Sequence, residues 1–148
     1  MKPVGKVLMV IFGLAVAVFI LIQFVPYGKN HINPPVTGEP AWDSPQTREL
    51  AKRACFDCHS NETVYPWYSN VAPVSWLVQH DIEEGRGRLN FSEWEAGSRR
   101  AQRAGNEVRE VISSGEMPMP IYVLQHPSAK LTDAEKMALI AGLESSLK

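Results

Sequence analysis

The sequence predicts an all-α protein: a small helical domain carried behind one N-terminal membrane-spanning helix. Three observations predict this. One long apolar block stands near the N-terminus. The other apolar residues recur at helical spacing, between Ser or Thr starts and Gly or Pro stops. No stretch alternates as a half-buried strand would. At 148 residues the chain suits one folded domain, and the part outside the apolar block is enough for one small core. The expected boundaries are 1–27 for the anchor, 28–43 for an extended linker and 44–148 for the folded domain.

From Val7 to Val25 only Gln23 is strongly polar. At about 1.5 Å per residue the run spans roughly the 30 Å of a hydrocarbon core. Lys2 and Lys6 precede it and Lys29 follows, which predicts an inside N-terminus and an outward-facing domain. A cleaved signal peptide would have a shorter apolar core and a small-residue exit. Here the exit is Gln23-Phe24-Val25-Pro26-Tyr27, so an uncleaved anchor is expected. With no Cys near this exit, a lipoprotein is excluded. A soluble core helix so uniformly apolar would need a large protein around it.

Gly28, Asn30, Pro34, Pro35, Gly38 and Pro40 give the next stretch the composition of a linker, with His31 expected to be solvated. Ser44-Pro45 reads as a helix start, Ser as cap and Pro at the first helical position. That helix runs through Leu50, Ala51 and Ala54. An aromatic-rich loop follows, Ser60 to Ala72. Pro73 starts a second helix with Trp76, Leu77 and His80, expected to stop at Gly85. Ser92-x-x-Glu95 has a capping-box pattern, predicting a third helical stretch through Ala101, Ala104, Val108, Val111 and Ile112 to Gly115. Gly97 and Gly105 leave open whether it is one helix or two. The prolines of Gly115-Glu116-Met117-Pro118-Met119-Pro120 exclude helix there. After a further loop, Thr132-x-x-Glu135 is a second capping box. It opens a last helix with Met137, Ile140, Ala141 and Leu147.

The formal net charge is −1, from 15 basic and 16 acidic residues. Two of the basic residues precede the apolar run, so the folded part is slightly acidic. No basic cluster suggests a nucleic-acid surface.

Both cysteines of the chain stand in Cys55-Phe56-Asp57-Cys58-His59. This is the C-x-x-C-H pattern of covalent haem attachment. Two thiols three positions apart sit on one side of a helical turn, where they can reach two vinyl groups of one porphyrin. His59 then lies under the iron as proximal ligand. A thioredoxin-like redox pair would need a βαβ setting, which is absent. A zinc site would need four ligands, and no second close-spaced pair exists. For the sixth ligand, Met117 and Met119 lie in a proline-stiffened loop. His80, one helical turn beyond Trp76, and His126 compete with them. Tyr65, Trp67, Tyr68 and Trp76 could offer donors to haem propionates, but ordinary packing explains them as well. Arg86 and Arg88 could pair with propionates, though a solvated turn is expected. Arg99, Arg100 and Arg103 are expected on the exposed face of their helix.

The chain also resembles the haem-binding domain family of small bacterial membrane-anchored c-type cytochromes. The match runs from about Ala54 to Leu143. It includes the Cys55–Thr63 stretch and Tyr65-Pro66-Trp67-Tyr68. Further matches are Pro73-Val74-Ser75-Trp76, His80, Glu84-Gly85-Arg86, Leu89-Asn90-Phe91-Ser92-Glu93-Trp94, Gly115-Glu116-Met117-Pro118, His126-Pro127 and Leu131–Lys136. The resemblance implies covalent haem c at Cys55 and Cys58, with His59 proximal. It favours Met117 over Met119, since the family pattern often reads Met-Pro-Pro; this chain departs from it by placing Met119 between the prolines.

The expected protein is therefore a cytochrome c-like helical domain with one haem iron, on the periplasmic side of a bacterial inner membrane. It would carry single electrons between redox partner proteins, without enzymatic activity. A haem-based sensor with an open sixth position is the alternative, and a haem-free thiol–disulfide protein a third reading.

Overall fold

The computed structural model describes residues 3–147. The chain is all-helical, and among the described residues it has no strand, only an isolated parallel bridge between Gly38 and Glu93. It folds as two compact units. One comprises Met1–Ile32 and Tyr65–Asp81, the other Asn33–Val64 and Ile82–Lys148.

In the first unit, α1 (Pro3–Ile22) has no residue facing a protein interior: Phe12 is 71 % exposed and Leu21 66 %. It is long and apolar enough to cross a membrane. The Trp67–Asn70 segment is a short 3₁₀ turn. The helix α4 (Val74–Arg88) begins in this unit and ends in the second.

The second unit is built from α2 (Pro45–Ala54), the single turn α3 (Phe56–His59), the end of α4, α5 (Arg99–Ser113), α6 (Pro120–Gln125) and α7 (Asp133–Ser146). Both α2 and α5 pack on α7. Leu50, Ala51 and Ala54 of α2 meet Val108 and Ile112 of α5 and Leu139, Ile140 and Leu143 of α7 in one buried core. Gly142 permits this approach, since a Cβ there would run into the Thr47 side chain of α2. Phe56 and Phe91 stack at 5.4 Å in the same core.

Several helix ends follow the sequence. Ser44 caps α2, its hydroxyl accepting the Thr47 N–H with Pro45 at the first helical position. Thr132 and Glu135 form both halves of a capping box at α7. Three expectations need correction. Gly85 does not stop α4, which continues to Arg88. Ser92 starts no helix: its hydroxyl accepts the Asn61 N–H, and α5 begins after Ser98, running unbroken through Gly105. Pro120 opens the short helix α6, where only loop was expected. Met137 is on the last helix as expected and points outward; Leu139, Ile140 and Leu143 fill the core.

Glu135 also accepts from Arg53 at 2.6 Å. The Thr132 N–H, Arg53 and the Thr132 hydroxyl together hold its carboxyl down at about 2, against an ordinary 4.5. A depressed carboxylate contributes its full stabilisation above the unfolded value and loses it as pH falls through the folded one. Glutamine keeps the capping geometry without the charge. Glu135→Gln should therefore flatten the acid limb of the unfolding stability between pH 4.5 and 2. Parallel acid limbs for the two proteins would contradict this.

Candidate functional site

The helix α2 gives way at Cys55, whose φ of −130° leaves the helical region. The chain then turns once through α3, and the Cys55 carbonyl accepts both the Cys58 and His59 N–H groups, at 3.2 and 2.9 Å. Phe56 points inward, between the Phe91 ring and the Arg48 guanidinium, 5.5 Å from its centroid.

The turn is held from both flanks. The Asp57 carboxylate accepts the Val64 N–H at 3.0 Å and the Tyr122 hydroxyl at 2.7 Å. Burial and this bond push the Tyr122 hydroxyl's pKa up, keeping it a donor. On the other flank the His59 carbonyl accepts the Phe91 N–H at 2.8 Å. The buried side chains of Asn61, Asn90 and Ser92 complete that side. Asn61 N–H donates to Ser92 Oγ, Asn90 Nδ2 to Asn61 Oδ1, and Ser92 N–H to Asn90 Oδ1, at 2.9 to 3.0 Å. Arg86 is no solvated turn residue. Its guanidinium donates to the Ser60 carbonyl, Asn33 Oδ1 and Thr63 Oγ1. Gly85 lies against the Cys58 backbone, where a Cβ would strike the carbonyl. The glycine is needed for close approach, which is why it does not end the helix.

His59 Nδ1 lies 3.1 Å from the Leu89 carbonyl. A carbonyl only accepts, so Nδ1 carries the proton and Nε2 keeps its lone pair. Burial holds the imidazole pKa below its usual value, against the opposing pull of the Leu89 and Gly85 carbonyls. A neutral imidazole with its second nitrogen tied to a backbone carbonyl is the state in which histidine ligates metals.

Beside His59 opens a cavity of about 560 Å³, in the usual range for cofactor sites. Cys55, His59 and Met117 stand on its wall. Leu89, Phe91, Ala104, Val108, Val111, Ile112 and Leu143 give it an apolar side, while Arg88, Arg99, Arg100 and Arg103 bring positive charge and Glu107 and Glu116 negative charge. Arg99, Arg100 and Arg103 are exposed, as expected, and also line this cavity. Nothing in their helical spacing marks that, since it depends on where the start of α5 is carried. Met117 is fixed by its N–H to the Val111 carbonyl, 2.9 Å.

Met119 and His126 are not among the residues lining this cavity. Met119 precedes α6 as its cap, and His126 stacks on Tyr122 at 4.4 Å. His80, Tyr65, Trp67, Tyr68 and Trp76 belong to the first unit. His31 is no solvated linker residue: it stacks on Tyr65 at 4.3 Å. Cys58 is not on the cavity wall but one turn away, against Gly85.

The two thiols are not joined. Burial, with the nearby Cys58, pushes the Cys55 thiol up to about 12. A dithiol redox centre needs an attacking thiolate near neutral pH, so Cys55 is poorly suited to that role. Among the described residues no group of three His, Cys, Asp or Glu side chains converges to hold a bare metal ion.

A family model described as a haem-binding domain matches residues 17–145. The chain belongs to the haem-binding domain family. Comparisons with curated proteins and with solved structures return no match. The cavity of this haem-binding domain has the chemistry its cofactor needs: an apolar wall for the macrocycle, arginines for propionates, and imidazole and thioether groups for iron.

The close approach at Gly85 is testable. Gly85→Ala should destabilise the haem-free chain by about 1–3 kcal/mol in denaturant unfolding, because the added methyl must displace backbone. Gly87→Ala, with nothing within 4 Å of its Cβ position, should be neutral or mildly stabilising. Equal effects at the two positions would refute the contact.

Proposed function

We propose that this chain is a membrane-anchored mono-haem c-type cytochrome, passing single electrons between redox proteins on the periplasmic side of a bacterial inner membrane. The observation that carries the reading is the meeting of Cys55, His59 and Met117 on one apolar cavity wall, although Met117 is distant in sequence. In this reading Cys55, on the cavity wall, and Cys58, beside it in the same turn, would hold the haem as thioethers, and His59 Nε2 and the Met117 sulfur would ligate its iron.

The bound haem supplies a one-electron iron couple. The chain's residues set the conditions for it. The Leu89 carbonyl keeps the His59 proton on Nδ1 and fixes the ring plane. The Asp57–Tyr122 bond and the Arg86 clamp hold the turn between Cys55 and Ser60 in one geometry. Arg88, Arg99, Arg100 and Arg103 offer propionates cationic partners. The aliphatic wall keeps water from the iron. Burial and a thioether ligand both favour the ferrous state, so a raised potential is expected relative to a wet bis-histidine site. Lys2 and Lys6 before the apolar run Val7–Val25, against Lys29 after it, support an inside N-terminus. The length and apolar surface of α1 fit a membrane span, and the bulky exit Gln23-Phe24-Val25-Pro26-Tyr27 supports its retention as an anchor.

The spectrum of the protein matured with haem tests the ligand set. The wild type should be low-spin in the ferric state with a methionine-to-iron charge-transfer band. Met117→Ala should become high-spin, and Met119→Ala should keep the band. The reverse pattern would transfer the ligand to Met119. A wild type already high-spin and readily binding carbon monoxide would contradict the electron carrier and support a sensor with an open position.

A further inference from the structure

The stretch from Tyr65 to Leu77 is fastened to the chain that leaves α1 at three places, all within the first unit. Gln23, the residue after α1, donates from Nε2 to the Ala72 carbonyl and accepts the Ala72 N–H at Oε1, both at 3.0 Å. Gly28, at φ +76°, sits so close to Ser75 that a Cβ would run into its carbonyl. His31 stacks on Tyr65, with Nε2 3.0 Å from the Ser69 hydroxyl. Fastenings at residues 23, 28 and 31 leave this stretch no freedom to move away from the end of α1.

Its surface is uncharged and exposes large apolar side chains. No Asp, Glu, Lys or Arg occurs between Tyr65 and Gln79, in a protein where 21 % of residues are charged. Trp67 is 79 % exposed, Leu77 52 % and Val74 41 %, and Phe24, beside Gln23, is 79 % exposed. Tryptophan and tyrosine gather where hydrocarbon gives way to headgroups, because one end of each ring is apolar and the other polar. Exposed apolar area of this kind is unfavourable in water by about 25 cal/mol per Å² and is relieved by burial. The occupant is identified by continuity. The stretch is tied to the very residue at which the lipid-facing surface of α1 stops.

We propose that Tyr65–Leu77 is an interfacial foot, seated in the headgroup layer of the bilayer that α1 crosses, with Trp67 inserted among the lipids. This rests on the reading of α1 as a retained anchor. Here the chain returns to the membrane surface after leaving it.

The full chain in phosphatidylcholine vesicles tests this, with and without brominated acyl chains. The contribution of Trp67 is read as the difference between wild type and Trp67→Phe, a conservative change at an exposed ring. Bromolipid should remove most of the Trp67 emission, and aqueous acrylamide should remove little. Alkaline carbonate washing is run in parallel. A chain retained by the vesicles whose Trp67 is quenched by acrylamide and not by bromolipid overturns the foot and leaves the anchor standing. Protection from both quenchers means that protein, such as a second copy, covers the ring, and also overturns it. Release by carbonate removes the anchor reading and the foot with it.

Discussion

The arrangement of the second unit depends on the immobilisation of one short turn, Cys55 to Asn61. The carbonyls of Cys55, Phe56, Asp57, His59 and Ser60 all accept hydrogen bonds. Residues 85–92 hold it on one side, through the Gly85 close approach, the Arg86 clamp, the Leu89 carbonyl and the buried Asn61–Asn90–Ser92 bonds. Asp57 holds it on the other through Val64 and Tyr122. Each bond contributes only about 1 kcal/mol net, but leaving one of these buried groups unpaired costs more than the bond gains. The network therefore specifies position more than it adds stability. A ligand histidine needs that: the ring must be neutral, aimed and unable to swing.

Around the turn the helices do two jobs. Packed on α7, α2 and α5 form the core that keeps Phe56 pointing inward. The same α5 presents Val108, Val111 and Ile112 and the arginines of its first turns to the cavity. One helix thus supplies both hydrocarbon and cation to one site. This suits a macrocycle that is apolar across its face and anionic at its propionate edge. Met117 follows directly after that helix and is tied back to it at Val111, so the position of α5 also sets where the thioether can reach.

Local chemistry made part of this legible in the sequence. The Ser44 cap and the Thr132–Glu135 capping box are each decided within a few residues, and the structure contains both; the apolar run likewise forms one helix, α1. Where a residue answers to a distant partner, local reading failed. Ser92 looks like a helix cap but gives its hydroxyl to Asn61. Gly85 looks like a stop but exists to let Cys58 approach. Arg86 looks solvated but holds three acceptors on two other segments. His31 looks like a linker residue but stacks on Tyr65. Sequence spacing does not distinguish Met117 from Met119, since both occupy one proline-rich loop; in the fold Met117 lines the cavity and Met119 is not among its lining residues.

The central claim is that Cys55 and Cys58 hold a haem covalently beside His59. The most direct measurement is a haem-peroxidase stain of a denaturing gel, after expression with a cytochrome c maturation system. The account predicts a stained band at the position of the chain that is lost in Cys55→Ala/Cys58→Ala. An unstained wild-type band, in cells where another c-type cytochrome matures normally, would contradict it.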